Sequence, residues 1–172
     1  MYSIDELDKV VSLDNVPQSS VGAPLPVVLS DEHRLLLAYL LQTDTSGWDG
    51  TSVRVIDLES SSEPLALVEF SGYASFMFGA PNDEAFHGHP LYSRGLKPYS
   101  AFVIENSSWI RQLERMNSVH PYHRPQRYAQ LKHYVFAFHD STFECVAESF
   151  TVTEHLGSLA EILPEVQKRL LK

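Results

Sequence analysis

The sequence predicts a single α+β domain, mainly an antiparallel meander sheet of about six to eight strands with two or three helices packed against it. Three observations carry that expectation. Apolar, strand-like runs follow one another through short turns rather than through helical crossovers. Three stretches, 3–13, 108–117 and 158–171, carry helix start signals followed by helical periodicity. With 172 residues, 44% of them apolar, the chain is long enough to bury a sizeable core.

The elements follow in order. Residues 1–23 are expected to form a helix and a loop. Ser3 and Glu6 have capping-box spacing, and Ile4, Leu7 and Val11 recur at helical intervals from Ser3 to Leu13. Residues 24–152 are expected to hold the sheet. Leu25 to Leu29 and Arg34 to Gln42 flank the polar turn Ser30-Asp31-Glu32-His33, which reads as a hairpin. Ser30 also offers a cap for a helix through Leu41, and periodicity does not arbitrate in so apolar a run. Trp48 is expected to fold back onto the sheet. Ser52 to Leu58, then Leu65 to Phe70 and Tyr73 to Phe78, read as strands, the last two being one long strand if the chain merely bends at Gly72.

Residues 79–98 cannot be a regular element. Between Phe78 and Leu96, Gly and Pro recur every few residues and set turns, yet Phe86, Leu91, Tyr92 and Leu96 are too apolar for a solvated linker. A long ordered loop folded against the domain is the economical reading, and such loops are more often functional than short ones. Tyr99 to Glu105 is the next strand. Asn106 or Ser107 caps a helix over 108–117 with Trp109, Ile110, Leu113 and Met116 on its apolar face. Val119 to Gln126 is a Pro-broken loop. Leu131 to His139 and Phe143 to Val152 are strands joined at Asp140-Ser141-Thr142. A helix over 158–171 closes the chain, opened by a Ser158/Glu161 capping box and interrupted at Pro164.

A two- or four-residue loop in the 131–152 hairpin sorts its side chains into two faces. One is apolar, with Phe138 opposite Phe143, Phe136 opposite Cys145 and Tyr134 opposite Ala147. The other sets His133 opposite Glu148, Val135 opposite Val146 and Ala137 opposite Glu144, with His139 near Thr142. This second face is either solvated or the floor of a site under the 79–96 loop.

The net charge of −9 argues against nucleic-acid binding. Within 111–133, however, Arg111, Arg115, Arg124, Arg127 and Lys132 meet only Glu114, a local +4, so the other residues sum to −13. Such a basic island suits a small anionic ligand or an acidic protein partner. One cysteine, Cys145, rules out an intramolecular disulfide and a Cys-based zinc site and suits a reducing cytoplasm. No apolar leader opens the chain and no run reaches the ~18 residues of a membrane span, so no membrane role is expected.

Chemical candidates are few. His87-Gly88-His89 has H-x-H spacing, which with Asp83 or Glu84 suggests a metal ion held by His87, His89 and Asp83. His139, Asp140 and Glu144 are the catalytic candidates. Ser141 and Cys145 are the nucleophile candidates, but G-x-S-x-G is absent, as are the phosphate-cradling glycine patterns. Asn82, Asp83, Glu84, His87, His89, Arg124 and Arg127 are the candidate binding residues.

Three segments taken in order resemble a group of uncharacterised soluble bacterial proteins. They are Gly79-Ala80-Pro81-Asn82-Asp83-Glu84-Ala85 with Gly88-His89-Pro90-Leu91-Tyr92, then Glu105-Asn106-Ser107-Ser108-Trp109-Ile110, then His133 to Glu144. The resemblance implies a bacterial cytosolic domain and carries no catalytic residues with it. The expectation is therefore a binding or accessory module using the 79–96 loop and the polar face of the 131–152 hairpin, rather than an enzyme. The alternatives are a metal-dependent hydrolase with a His/carboxylate site and a structural or homo-oligomerising unit.

Overall fold

The computed structural model describes residues 2–43, 55–60 and 63–170. Among them nine strands form two antiparallel sheets, accompanied by three helices. The strands are β1 (Lys9–Ser12), β2 (Val27–Ser30), β3 (Leu35–Leu40), β4 (Pro64–Ser71), β5 (Ser75–Gly79), β6 (Ala101–Glu105), β7 (Lys132–Ala137), β8 (Thr142–Ala147) and β9 (Ser149–Leu156). The helices are α1 (Ser108–Asn117), α2 (Pro125–Ala129) and α3 (Leu159–Leu170). One sheet runs β1-β6-β7-β8-β5 and the other β2-β3-β4-β9. The class is α+β, but the strands divide between two sheets instead of forming one meander.

The sheets face each other across a core that joins Leu35, Leu37, Tyr39, Val68 and Phe70 to Tyr134, Phe136, Phe143 and Cys145. Each sheet is also covered on its outer face. α3 packs Leu159, Ile162 and Val166 on Leu36, Ala38, Leu40, Leu65 and Leu67. The 79–96 loop and α1 pack Phe86, Leu91, Leu96 and Trp109 on Phe102, Ile104, Val135 and Val146. A strand covered on both faces has no polar face to show, so every residue of β3 is buried. This is why Arg34 to Gln42 did not show a period, and it is a strand, not a helix.

The sheets are joined by a bent two-stranded ribbon, β4–β5 against β9–β8. Ser71 faces Ser149 while Ser75 faces Val146, so one arm advances four residues where the other advances three. The extra residue makes a bulge, and bulges turn strands. Gly72 sits at the bend with φ +60. Two expectations are corrected here. The Tyr73 to Phe78 segment belongs to a different sheet from Leu65 to Phe70. Phe143 to Val152 is two strands, parted at Glu148, whose amide donates to Ser71 O at 3.0 Å.

The expected N-terminal helix over Ser3 to Leu13 does not form. Asp5 Oδ1 and Asp8 Oδ2 accept from the amides of Leu7 and Asp5, both at 2.9 Å. Short polar side chains that bond nearby amides in this way compete with helix. Val10 and Val11 then pair with Ile104 and Val103 in β1. Other elements form where expected: the β2–β3 hairpin, the ordered 79–96 loop, α1 with its Ser107 cap, and α3 with a reciprocal Ser158/Glu161 box at 3.1 Å each way. Met116 is the exception on α1, being 65% exposed. The expected strand at Ser52 to Leu58 lies partly outside the described residues; its described part runs into a turn in which Ser60 N donates to Asp57 O. Trp48 also lies outside them. No described helix is long and apolar enough to cross a membrane.

The β7–β8 register is also corrected. Phe136 faces Phe143, Tyr134 faces Cys145 and Val135 faces Glu144, a slip of two residues from the expectation. The turn is His139-Asp140, closed by Phe138 N donating to Ser141 O at 2.8 Å. A slip of two preserves the faces, because side chains alternate with period two.

Candidate functional site

The loop and the hairpin are neighbours, and they meet at two polar clusters of opposite character.

The first cluster is sealed. Glu144 lies on the outer face of β8, 7% exposed, where a bare carboxylate would be costly. Three donors converge on it: Tyr2 Oη at 2.7 Å and His133 Nε2 at 2.9 Å to Oε2, and His89 Nε2 at 3.2 Å to Oε1. The outer partners fix the imidazole tautomers. Leu91 N donates to His89 Nδ1 at 3.1 Å, so the His89 proton sits on Nε2. Ser107 Oγ lies 3.0 Å from His133 Nδ1 and also accepts from Ile110 N as the α1 cap, leaving its own proton for that nitrogen. Tyr2 stacks on Trp109 with ring centroids 5.3 Å apart, and both rings meet His133 edge-on. Burial pushes the Glu144 carboxyl up. The hydrogen bonds that His133 and His89 donate, with the electrostatic attraction of the two rings, outweigh burial and hold it at about 2. Burial, then the Glu144 charge and hydrogen bond, push the Tyr2 phenol well above its usual range. This cluster ties the loop, α1 and the N-terminal segment to the sheet. Three donors and its burial close Glu144 to a solvent-borne substrate.

The second cluster is open and sits at the hairpin turn. Asp83 Oδ2 accepts from Tyr99 Oη and lies 3.1 Å from His139 Nδ1, which is itself 2.9 Å from Tyr99 Oη. Asp83 N donates to His139 O at 2.8 Å, and Thr142 Oγ1 donates to Pro81 O at 2.8 Å, so loop and turn are laced together. The His139 side chain is 39% exposed, and its Nε2 is 4.0 Å from Asp140 Oδ1. The Tyr99 hydrogen bond, followed by the Glu84 amide and His139, holds the Asp83 carboxyl below its ordinary value. Desolvation and the Asp83 bond push the Tyr99 phenol up to about 12. An imidazole oriented through Nδ1 by a carboxylate, with Nε2 half-exposed beside the Asp140 carboxylate and making no hydrogen bond among the described residues, can hydrogen-bond a ligand or carry a proton.

Tyr99 connects this cluster to a cleft. The cleft has a volume of about 400 Å³ and lies between residues 12–19 and the β6–β7 strands, with Tyr39, Ser100, Phe136 and Phe138 among its walls. Tyr99 lines it and adopts φ +57, a conformation that a bulky residue rarely takes. Asp14 is the one charged residue lining it among the described residues.

The chain matches no family model, no curated protein and no solved structure. Its site is therefore argued from its own geometry.

The candidate residues distribute unevenly. Asp83 and His139 come together, as do His89 and Glu144. Asp83, His87 and His89 do not converge as a metal site: His87 is exposed, while Asp83 and His89 turn to different partners. Among the described residues no group of three His, Cys, Asp or Glu is placed to hold a metal ion. Asn82 Oδ1 accepts from Ala85 N at 3.1 Å and braces the loop. Glu84 and Asp140 are exposed, and so are Arg124 and Arg127, at the cap of and within α2. Ser141 is nearly buried, its carbonyl closing the turn. Cys145 lies in the inter-sheet core with its thiol pushed well above the usual value by burial, an inert position. Tyr99 and Tyr2 were not foreseen, because nothing local distinguishes a phenol that bonds a carboxylate from one that packs. Ser107 was visible as a cap and His133 as a member of the polar face, but not their link.

Proposed function

We propose that the protein is a binding module that takes a small polar ligand in the cleft beside Tyr99, with Tyr99, His139 and Asp83 as its recognition groups. One observation carries the reading: Tyr99 is held in a strained backbone conformation at the wall of a cleft while its hydroxyl joins Asp83 and His139. Strain of this kind persists where the surroundings over-determine it, and it clusters at ligand sites. The cleft volume lies within the range of small-molecule sites, and its accessible lining is more polar than apolar, which suits a small polar ligand. With Asp14 as the charged wall, the ligand is neutral or cationic rather than anionic. The polar face of the hairpin contributes support, since Glu144 is consumed by the loop. A bacterial cytoplasmic setting belongs to the same proposal and accords with the single buried thiol.

The test is a thermal-shift and saturation-transfer screen of small polyols, nucleosides and amines against wild type, Tyr99→Phe and His139→Asn. A ligand is expected that binds wild type and loses about tenfold in affinity with either variant, the scale of one hydrogen bond to a charged group. A ligand whose affinity ignores both substitutions, or no ligand for wild type across the screen, refutes the reading.

A further inference from the structure

We infer that a second surface, formed by α1, α2 and the segment between them, docks an acidic amphipathic segment of a partner protein. The inference is independent of the cleft beside Tyr99.

Its first ground is unspent charge. Arg111 is committed to Asp5, with Nη2 2.5 Å from Oδ2, and His123 faces Glu114 at 3.8 Å. Arg115, Arg124, Arg127 and Lys132 are exposed and make no ion pair among the described residues. Four cations on one stretch of a protein with 22 acidic residues are thus left without a carboxylate partner among the described residues. They favour an acidic partner by charge complementarity. The second ground is apolar exposure among those cations: Met116 is 65% exposed, Val119 88% and Tyr122 81%. Large apolar side chains gathered on one surface and rimmed by charge mark interaction sites.

The third ground selects the shape of the occupant. A groove of about 890 Å³ runs between α1 and α2, with Val103, Ile110, Tyr128 and Leu131 among its walls; of the charged groups that line it, Glu105 faces Lys9, Glu114 faces His123 and Arg111 faces Asp5, which leaves Lys132 as the charge without an ion pair among the described residues. A concave, partly apolar channel beside a basic rim fits the apolar edge of a peptide, with acidic side chains reaching the rim. A flat anionic membrane offers no segment to fill the groove.

The test uses a fluorescein-labelled peptide of repeated Glu-Glu-Leu-Leu blocks and the full chain, read by anisotropy. The expected result is binding that weakens about tenfold or more as salt rises from low to physiological levels. Binding should be abolished by Arg124→Glu/Arg127→Glu, reduced several-fold by Val119→Ser/Tyr122→Ser, and unchanged by Tyr99→Phe. All four substituted positions on this surface are exposed, and circular-dichroism melts matching wild type verify folding of the variants. A Lys-Lys-Leu-Leu peptide should not bind. Absence of acidic-peptide binding, or binding indifferent to the Arg124/Arg127 reversal, overturns the inference. So does capture by phosphatidylserine–phosphatidylcholine vesicles in place of the peptide. Self-association through this face in sedimentation, abolished by the same reversal, would make the occupant a second copy and also overturn it.

Discussion

Replacing Glu144 by Gln keeps the side chain's size, removes its charge and turns one of its acceptor atoms into a donor. In wild type both carboxylate oxygens accept, from Tyr2 and His133 at Oε2 and from His89 at Oε1. A Gln amide set either way puts N–H against N–H or O–H at one of these positions. The His89 side is the cheaper conflict, since it sacrifices one donor rather than two. Even there the ring is held by the Leu91 amide at Nδ1, so a tautomer change exchanges one unmade bond for another. Leaving a buried donor unsatisfied costs about 1–3 kcal/mol. The pH dependence separates this electrostatic cause from mere packing. The folded carboxyl sits at about 2 against an ordinary 4.5, a depressed value. Its contribution is therefore complete above the ordinary value and is lost as pH falls from there through the folded one. The full linkage is about 3 kcal/mol, of which about 2 kcal/mol is gone by about pH 3. Urea unfolding of wild type and Glu144→Gln at several pH values should show a gap that is wide and flat near neutrality and narrows below about pH 4. A gap under about 1 kcal/mol near neutrality, or one that stays constant into acid, would refute the assignment of Glu144 as the ionised centre of the cluster.

Three other outcomes are expected. Gly72→Ala should lower stability by about 1–2 kcal/mol, because a non-glycine residue must adopt φ +60 and its Cβ would stand 2.6 Å from Glu148 Cδ. Adding Glu148→Ala should return only the clash portion, measurable as a partial recovery of the melting temperature. Ser158→Ala removes one half of the α3 capping box and should cost about 1 kcal/mol, read as a melting-temperature drop of about 2–4 °C. Cys145 should resist a thiol reagent in the native protein and react fully once denatured, and fast native labelling would contradict its place between the sheets.

What could be read in the sequence follows the range of the forces involved. α1, α3 and the β2–β3 hairpin are governed by neighbours within four residues, by Ser107 and Ser158 as caps and Asp31 as a turn former, and they are where local chemistry places them. The N-terminal segment failed at the same range for a stated reason. Asp5 and Asp8 bond backbone amides, and Asp8 Oδ1 also accepts from Ser108 N at 2.6 Å, so a residue that looked helical serves as a distant cap for α1. The division into two sheets depends on one bulge near Gly72 and Glu148, which hydrophobic pattern does not encode in strands buried on both faces.

The two polar clusters show the same limit at the level of function. His133, Glu144 and His139 all belong to one hairpin, and the pattern of alternation is indifferent to which of them is covered. The cover decides. Phe86, Leu91 and Leu96 press the loop onto β7 and β8 and commit His89 to Glu144, while the loop's beginning at Pro81–Asp83 reaches only the turn and leaves His139 Nε2 accessible. The apolar residues of the 79–96 loop thus choose which histidine is structural and which can meet a ligand. A Phe86→Ala exchange, which opens the cover at a cost of about 3–5 kcal/mol, should therefore raise amide exchange across 86–96 and expose His89, while Asp83 and His139, tied by their own backbone bond, keep their pairing.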